Sequence, residues 1–184
     1  MQADRGLEAP ALAARTGIVC TRARTASERA DHLAIRHQVF VDEQGVFGDS
    51  DLDKHDRDRS TVALIAYCDE VVVGTVRLFQ LDPAAGTWQG DRLAVLAPYR
   101  TRGVGAPLVR CAVATAATLG GRVMTAHIQL PNVDFFERLG WTRTGGTELY
   151  AGLPHQPMRI VLPSRSEALA LVKRLEDGVN ERGQ

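Results

Sequence analysis

A strand that runs into a Gly-rich turn and then a helix is the most informative chemical feature of the sequence. Residues 93–105 read LAVLAPYRTRGVG. Backbone N–H groups at the start of a helix carry partial positive charge, and glycines let the backbone close around an anion without Cβ obstruction. Arg100 and Arg102 can add direct charge. We therefore expect this loop to bind a phosphate or pyrophosphate.

Two other phosphate-binding loops do not match this segment. A Walker A loop requires Gly-Lys-Ser/Thr, which the loop lacks. A dinucleotide fingerprint requires a further Gly or Ala three residues after the second glycine, where Leu108 stands. An ordinary strand-to-helix turn is the remaining alternative, and the two arginines favour the anion site over it.

The elements that must position this loop follow from hydrophobic periodicity and capping signals. A capping box at Thr25–Glu28 begins the first helix, and Gly74 within an apolar run suggests a bulge or a close backbone approach. The chain is predicted to be a mixed α/β domain. The predicted elements are strand 18–21, helix 25–41, a polar loop, a hairpin of strands 61–67 and 71–81, strand 87–96, helix 106–119, strand 122–129, a short helix 131–139, and extended pieces at 141–144, 149–151 and 158–162.

A second capping box at Ser164–Glu167 predicts a helix near the C-terminus. Its apolar stripe packs on its own domain or on a partner, and self-packing is the more common outcome. The expected organisation is a tail at 1–16, one domain at 17–162 and this amphipathic helix within 163–184. The stripe consists of Ala168, Leu171, Val172, Leu175 and Val179.

Composition narrows the class of protein. The chain has 184 residues, is 45% hydrophobic and 24% charged, and has 22 basic and 22 acidic side chains. This balance excludes disorder throughout, and the absence of a basic excess disfavours nucleic-acid or membrane-surface binding. Three widely spaced cysteines, no signal peptide and no long apolar stretch favour a cytoplasmic protein with buried thiols.

Four segments resemble the GCN5-related N-acetyltransferase superfamily. Residues 100–105 match its Arg/Gln-x-x-Gly-x-Gly/Ala pyrophosphate loop, and residues 127–141, HIQLPNVDFFERLGW, look like its "HAQ…FYEKLGF" segment. Residues 35–45, IRHQVFVDEQG, and 152–158, GLPHQPM, are similar to "IRxxVFVxEQ" and "GIPHxxM" of one bacterial subgroup associated with nitrogen starvation. The resemblance covers about residues 17–162.

The resemblance implies a mixed, mostly antiparallel sheet that is splayed between its fourth and fifth strands at a β-bulge. Helices would flank this sheet, with the C-terminal helix as an addition. Acetyl-CoA is the implied acyl donor. The residues implied to contact it are Leu93, Ala94 and Val95 for the pantetheine arm, Arg100, Thr101, Arg102, Gly103, Val104, Gly105 and Ala106 for the pyrophosphate, and Asn132 and Phe136 on the following helix.

The implied reaction needs a base, because an amine that attacks a thioester starts as an ammonium ion. Histidine as a residue type suits the role of a base at neutral pH. His127, toward the end of the fifth strand, is therefore a candidate, although it could instead only hydrogen-bond to a neighbouring strand. His155 in the Gly-Leu-Pro-His turn is more readily interpreted as structural. A backbone N–H near Val95 is expected to stabilise the oxyanion.

Two carboxylates are further candidates for the base. Glu43 follows the first helix, where the resemblance implies a wall of the acceptor pocket. Glu43 could instead be a solvated acid. Asp91 precedes Leu93 by two residues, so both side chains are expected on one face of the strand. Its alternative interpretation is a surface acid.

The sequence departs from the family at Phe136, where the usual residue is a Tyr that acts as general acid. Phenylalanine cannot donate a proton. A thiol has a pKa of roughly 8.5, so its thiolate leaves without much assistance and water could suffice. Tyr150 or a histidine could also replace the missing acid.

The most polar stretch, 49–58, contains five aspartates. It lacks the glycine and final glutamate of an EF-hand, so a solvated loop is expected rather than a calcium site, and no metal is expected elsewhere. The stretch could border the acceptor site and favour a cationic amine. Arg36 could bind an acidic acceptor, but pairing with one of these acids is favoured.

The sequence therefore predicts a cytoplasmic N-acetyltransferase that uses acetyl-CoA and a small-molecule amine, with a homodimer left open. An acyl-homoserine-lactone synthase has a similar fold and an Arg-x-x-Val-Phe-like segment, and it would prefer longer acyl chains. A CoA-binding sensor or assembly module without turnover is the third hypothesis, suggested by Phe136 and the apolar C-terminal helix.

Overall fold

The computed structural model describes residues 17–178 as one α/β domain around an eight-stranded mixed sheet. The strand order is β1-β2-β3-β4-β5-β8-β6, and β7 also pairs with β8. The strands are β1 Ile18–Arg22, β2 Val62–Cys68, β3 Val71–Asp82, β4 Thr87–Val95, β5 Val123–Gln129, β6 Thr142–Arg143, β7 Glu148–Tyr150 and β8 Leu153–Val161. The α-helices are α1 Ala26–Arg36, α2 Gly105–Thr118, α3 Val133–Arg138 and α4 Arg165–Asp177.

The sheet is splayed between β4 and β5, as the family resemblance implied. These two strands run parallel and pair only from Thr87–Val123 to Gln89–Thr125. Beyond this point β4 remains paired with β3, and β5 remains paired with β8. A cleft therefore opens toward the carboxyl ends of both strands.

A β-bulge in β4 lies just beyond the point of separation. Asp91 is opposite Arg77 and Ala94 is opposite Thr75, so two residues of β4 face one residue of β3. The extra residue is Arg92, whose φ is +52°. Such a bulge bends the strand and interrupts the alternation of its side chains.

The bulge corrects the prediction that Asp91 and Leu93 share a face. The Asp91 carboxylate bonds to Arg77 on the side of the sheet that α1 covers. Leu93 packs against the main core under α2 instead. The prediction assumed that side chains alternate between the two faces of the strand. The residue inserted at the bulge shifts this alternation by one position.

The helices cover the two faces of the sheet. α2 is the central core helix, and the predicted stripe of α4 packs on the same core, which confirms self-packing for its residues up to Leu175. Both predicted capping boxes are present. A Cβ on Gly74 would lie 2.8 Å from Leu108 Cδ1, so both the predicted close approach and a neighbouring bulge occur there.

Several boundaries differ from the prediction. The first α-helix ends at Arg36 and continues as a π-helical segment, His37–Glu43. β8 begins at Leu153, so His155 lies on a strand and not in a turn. The predicted tail at 1–16 and Val179 lie outside the described residues. Between residues 17 and 178, no helix is both long and apolar enough to cross a membrane.

Candidate active site

A cavity of about 960 Å³, counted out to its open mouth, occupies the splay between β4 and β5. It has two halves, named here by the helix on the corresponding side of the sheet. The α1-side half is lined by Phe40, Gln44, Phe47, Asp91, Arg92, His127, Tyr150 and His155. The α2-side half is lined by Val76, Gly90, Leu93, Val109, Ala112, Met124, Ala126, Asn132, Phe136 and Trp141.

The predicted anion loop follows the carboxyl end of β4 and leads into α2. Gly103 has a φ of +78°, and a Cβ there would meet nothing within 4 Å. The N-cap residue of α2, Val104, makes no side-chain capping hydrogen bond, so the first N–H groups of a 14-residue helix remain for an anion. These features fit a pyrophosphate group.

Both arginines of the loop form ion pairs with acids from elsewhere in the chain. Arg100 donates from its two terminal nitrogens to Glu43 at 2.6 and 2.7 Å, and its Nε donates to the Val95 carbonyl at 3.0 Å. Arg102 lies 3.0 Å from Asp69. Backbone N–H groups are therefore the loop's main resource for an anion in this conformation.

The pairing with Arg100 changes the interpretation of Glu43. Hydrogen bonds from Arg100 lower the pKa of the Glu43 carboxyl below its usual value. A carboxylate held in this way is a poor proton acceptor. Glu43 instead connects the end of the π-helical segment to the anion loop, while its neighbour Gln44 accepts a hydrogen bond from Gln129 of β5 at 3.3 Å.

A buried ion cluster forms the floor of the α1-side half. Its arginines are almost fully buried, and each bonds to at least two acidic groups. Their multiple hydrogen bonds satisfy charges that would otherwise be costly to bury. The ion cluster comprises Arg36, Arg77, Arg92, Asp51, Asp53, Asp56 and Asp91.

The ion cluster corrects the expectation of a solvated loop at 49–58 for three of its five aspartates, whereas Asp49 and Asp58 are exposed. Asp51 is 3% exposed, and it accepts hydrogen bonds from Arg36 at 2.7 Å and from Arg92 at 3.1 Å. Burial would raise the pKa of Asp56, but a hydrogen bond from Arg36 and the Asp53 N–H lower it well below its usual range. The favoured pairing of Arg36 with the loop acids is confirmed. Within 17–178, no group of His, Cys, Asp and Glu side chains is arranged to hold a metal.

Asp91 belongs to this ion cluster. Its two oxygens accept hydrogen bonds from Arg77 at 2.8 and 2.6 Å. The carboxylate lines the cavity, but its charge is already matched by the guanidinium of Arg77. It is therefore poorly suited to accept a proton from an amine.

A neutral histidine completes the α1 side. His32 Nδ1 contacts the hydroxyl of Thr75, which donates to the Leu64 carbonyl at 2.8 Å and so must accept from the ring. The ring's Nε2 can then accept from Arg36 at 3.2 Å. Burial first, and the nearby Arg36 charge second, lower the pKa of His32 to about 4.

Three of the predicted catalytic residues meet on one wall of the α1-side half. The rings of His127 and Tyr150 stack with centroids 4.8 Å apart, and Tyr150 meets His155 edge to face at 5.4 Å. The side chain of His127 is 28% exposed. His155 is buried, and its Nδ1 donates to the Leu153 carbonyl at 2.8 Å.

Glu148 is a residue of this wall that sequence reasoning missed. Its Oε1 lies 2.6 Å from Nδ1 of His127, within ion-pair distance but without hydrogen-bond geometry. The contact arises because β7 pairs with β8 and β8 pairs with β5, which brings residues 21 positions apart together. No local motif marks Glu148, so only the strand order could have revealed it.

Phe136 lines the α2-side half, where the family's Tyr would stand. It meets Phe135 and Trp141 edge to face, with centroids 5.4 Å apart in both pairs. A Cβ on the loop residue Gly105 would lie 3.4 Å from Phe135 Cζ. This aromatic group therefore supports both the wall of the cleft and the start of α2.

The comparisons with known proteins agree with this geometry. Residues 28–141 match the model of the acetyltransferase (GNAT) family. The chain is 28% identical over 137 residues to YjcF, an uncharacterised N-acetyltransferase of Bacillus subtilis, covering 74% of this chain and 94% of the relative. A second Bacillus subtilis protein named as an acetyltransferase is 30% identical over 132 residues, covering 70% and 88% of the two chains.

A solved structure shows the same architecture. The crystal structure of a Lactobacillus plantarum protein named as an N-acetyltransferase superimposes with a TM-score of 0.71. The two chains are 25% identical, and the match covers 80% of this chain and 100% of the other.

Proposed function

Because the chain belongs to the acetyltransferase (GNAT) family, we propose that it transfers an acetyl group from acetyl-CoA to the amine of a small molecule. Transfer takes place by direct attack in a ternary complex, in the cytoplasm. The observation that carries this proposal is the cavity in the splay, whose lining includes titratable side chains and extends along β4 to Leu93, two residues before this strand ends ahead of the anion loop. The more specific assignment to a nitrogen-starvation group rests on the sequence motifs alone.

The donor fits the α2-side half and the loop. Acetyl-CoA supplies a thioester that is already activated toward amines. The loop residues 100–106 bind the pyrophosphate through backbone N–H groups, and Asn132 and Phe136 border the arm. Backbone groups of Leu93, Ala94 and Val95 offer hydrogen bonds to the arm, because β4 has no partner strand on its β5 side beyond Gln89.

The acceptor enters from the α1-side half. His127 is the proposed general base, since it is partly exposed and lines the cavity. The Glu148 carboxylate lies 2.6 Å from Nδ1 and favours a positive charge on the ring, while Nε2 accepts the proton of the amine. Tyr150 replaces the missing acid of position 136, because it is a hydroxyl-bearing side chain that lines the cavity and stacks on His127. His155 packs edge to face against the Tyr150 ring and fixes its position.

The acceptor is a small amine without a strongly charged second group. Every acid described at the α1-side half has a cationic or histidine partner: Glu43 with Arg100, Asp91 with Arg77 and Glu148 with His127. The arginine of the floor, Arg92, stacks 4.5 Å from the centre of Phe47 and is paired with Asp51. The wall that remains is aromatic and neutral.

An amine screen tests the function. The protein is incubated with acetyl-CoA and a panel of small primary amines, and release of the CoA thiol is followed. Amine-dependent release that the His127→Gln variant lacks is the expected result. Binding of acetyl-CoA without thiol release across the whole panel would contradict transfer and favour a CoA-binding sensor.

A further inference from the structure

The end of the π-helical segment bonds to residues from both sides of the splay. Glu43 accepts hydrogen bonds at 2.6 and 2.7 Å from Arg100, which follows β4. Gln44 accepts a hydrogen bond at 3.3 Å from Gln129, the last residue of β5. We name these four residues the clasp. Because β4 and β5 pair only over their first three residues, the clasp connects the two sides of the cleft where the strands have separated.

Arg100 is held from two directions. Its Nε donates at 3.0 Å to the carbonyl of Val95, the last residue of β4, while its two terminal nitrogens donate to Glu43. Three of the five N–H groups of the guanidinium are used, and the bidentate, charge-assisted pair with Glu43 fixes its plane. The side chain therefore connects the end of β4 to the π-helical segment.

The segment that Glu43 fixes also carries part of the acceptor wall. Beyond Glu43 the chain turns back, and the N–H groups of Val46 and Phe47 donate to the Phe40 carbonyl at 2.9 and 3.4 Å. Phe40, Val46 and Phe47 line the cavity, whereas Glu43 and Arg100 are not among its lining residues. A shift of Glu43 would therefore move a wall that it does not itself form.

We propose that the clasp aligns the two substrates: Glu43 and Arg100 are positioning residues that hold the acceptor wall at a fixed distance from the end of β4. This role rests on the proposed function, in which the thioester arm lies along that strand. The alignment matters because a misplacement of about 1 Å can lower the rate about 100-fold. The Arg100 side chain thus orients the wall, and the backbone N–H groups of the loop bind the pyrophosphate.

Glu43→Gln tests the clasp, because it removes the charge and places an amide N–H against the guanidinium of Arg100. We expect kcat/KM for the amine to fall about 10- to 100-fold, while the Kd for acetyl-CoA is no higher than in wild type. Thiol-release kinetics measure the first value and calorimetry the second. The variant should fold, since the two side chains are 37% and 42% exposed and exposed pairs contribute little to stability.

Asp69→Asn is the matched control. It too removes an acid from an arginine of the anion loop, Arg102, but Asp69 lies in the turn between β2 and β3 and is not among the residues that line the cavity. Its φ is +50°, which Asn tolerates. The control keeps the wild-type kcat/KM for the amine. An equal loss in Asp69→Asn and Glu43→Gln would overturn the proposal.

Two further variants separate alignment from phosphate binding. Arg100→Lys keeps the positive charge but cannot form the bidentate pair, so kcat/KM for the amine should fall. Glu43→Gln combined with Arg100→Gln leaves the net charge beside the loop unchanged, so acetyl-CoA should bind as it does to wild type. Weaker binding by this double variant would make Arg100 a phosphate ligand, and a wild-type kcat/KM in Arg100→Lys would equally contradict the clasp.

The results also distinguish the clasp from the proposed function. If wild type releases thiol with an amine and folded Glu43→Gln has the same kcat/KM, only the clasp is wrong. If wild type releases no thiol with any amine of the panel, both proposals are wrong.

Discussion

The two faces of β4 around its bulge differ sharply. On the α1 side, Asp91 and Arg92 enter the ion cluster, in which each charged group has fixed partners. On the α2 side, the same stretch presents bare backbone at Gly90 to an apolar cavity. The difference indicates that a rigid, charged floor holds the bulge while the opposite face stays free for a ligand.

Breaking the ion cluster should have the largest effect on stability. Arg36→Met leaves Asp51 and Asp56 without their main partner, in a place where Arg36 is fully buried. We expect the free energy of unfolding to fall by about 3–5 kcal/mol, measured by urea denaturation. Arg143→Met, which removes an exposed pair with Glu137, is the control and should change little. A loss in Arg36→Met no larger than in the control would show that the ion cluster does not hold the floor.

Removing the proposed base should lower turnover rather than stability. In His127→Gln we expect kcat to fall about 10²–10⁴-fold, the usual contribution of a general base, while acetyl-CoA still binds. Steady-state kinetics with the best amine of the screen measure the loss. His37→Gln is the matched control, since His37 lies outside the cavity and pairs with Asp42 on the surface. Equal kcat values for wild type and His127→Gln would remove His127 from the mechanism.

Lowering the pH should decrease the free energy of unfolding, because His32 is held neutral in the fold. Its pKa in the fold is about 4, against an ordinary value of 6.5, so the unfolded chain binds the extra proton first as pH falls. The contribution of His32 to the free energy of unfolding is therefore fully present above pH 6.5 and is lost progressively toward pH 4. Between pH 7 and pH 5 this amounts to about 2 kcal/mol.

Urea denaturation at several pH values measures this loss. Wild type should lose stability between pH 7 and pH 5, and His32→Gln should lose distinctly less. Asp53 and Asp56, whose pKa values are lowered, add a further loss only below about pH 4. The same slope in wild type and His32→Gln would show that His32 does not stay neutral in the fold.

The anion loop could be predicted from sequence because its chemistry is local. Gly103, Gly105 and the two arginines lie within six residues, with a predicted strand before them and a predicted helix after them. Capping boxes are local in the same sense. The class of fold followed from the order of the elements and from family motifs that lie in that order.

The partners of the catalytic candidates could not be predicted because they depend on tertiary pairing. Glu43 meets Arg100 across 57 positions, and Arg92 meets Asp51 across 41. The aspartates of 49–58 look solvated in sequence because polar residues usually face water. Three of them become buried or half-buried because α1, β3 and β4 bring three arginines beneath them. These aspartates are Asp51, Asp53 and Asp56.

Titration of the wild-type protein and Gly103→Asp with acetyl-CoA, with ATP and NADH as comparison ligands, tests the central claim most directly. We predict saturable binding of acetyl-CoA by wild type, with neither ATP nor NADH replacing it. We predict no binding by Gly103→Asp, because a carboxylate and a Cβ are placed in the anion loop at a positive φ. Wild-type affinity in a folded Gly103→Asp protein, or no binding of acetyl-CoA by wild type, would contradict the assignment of the loop and the function built on it.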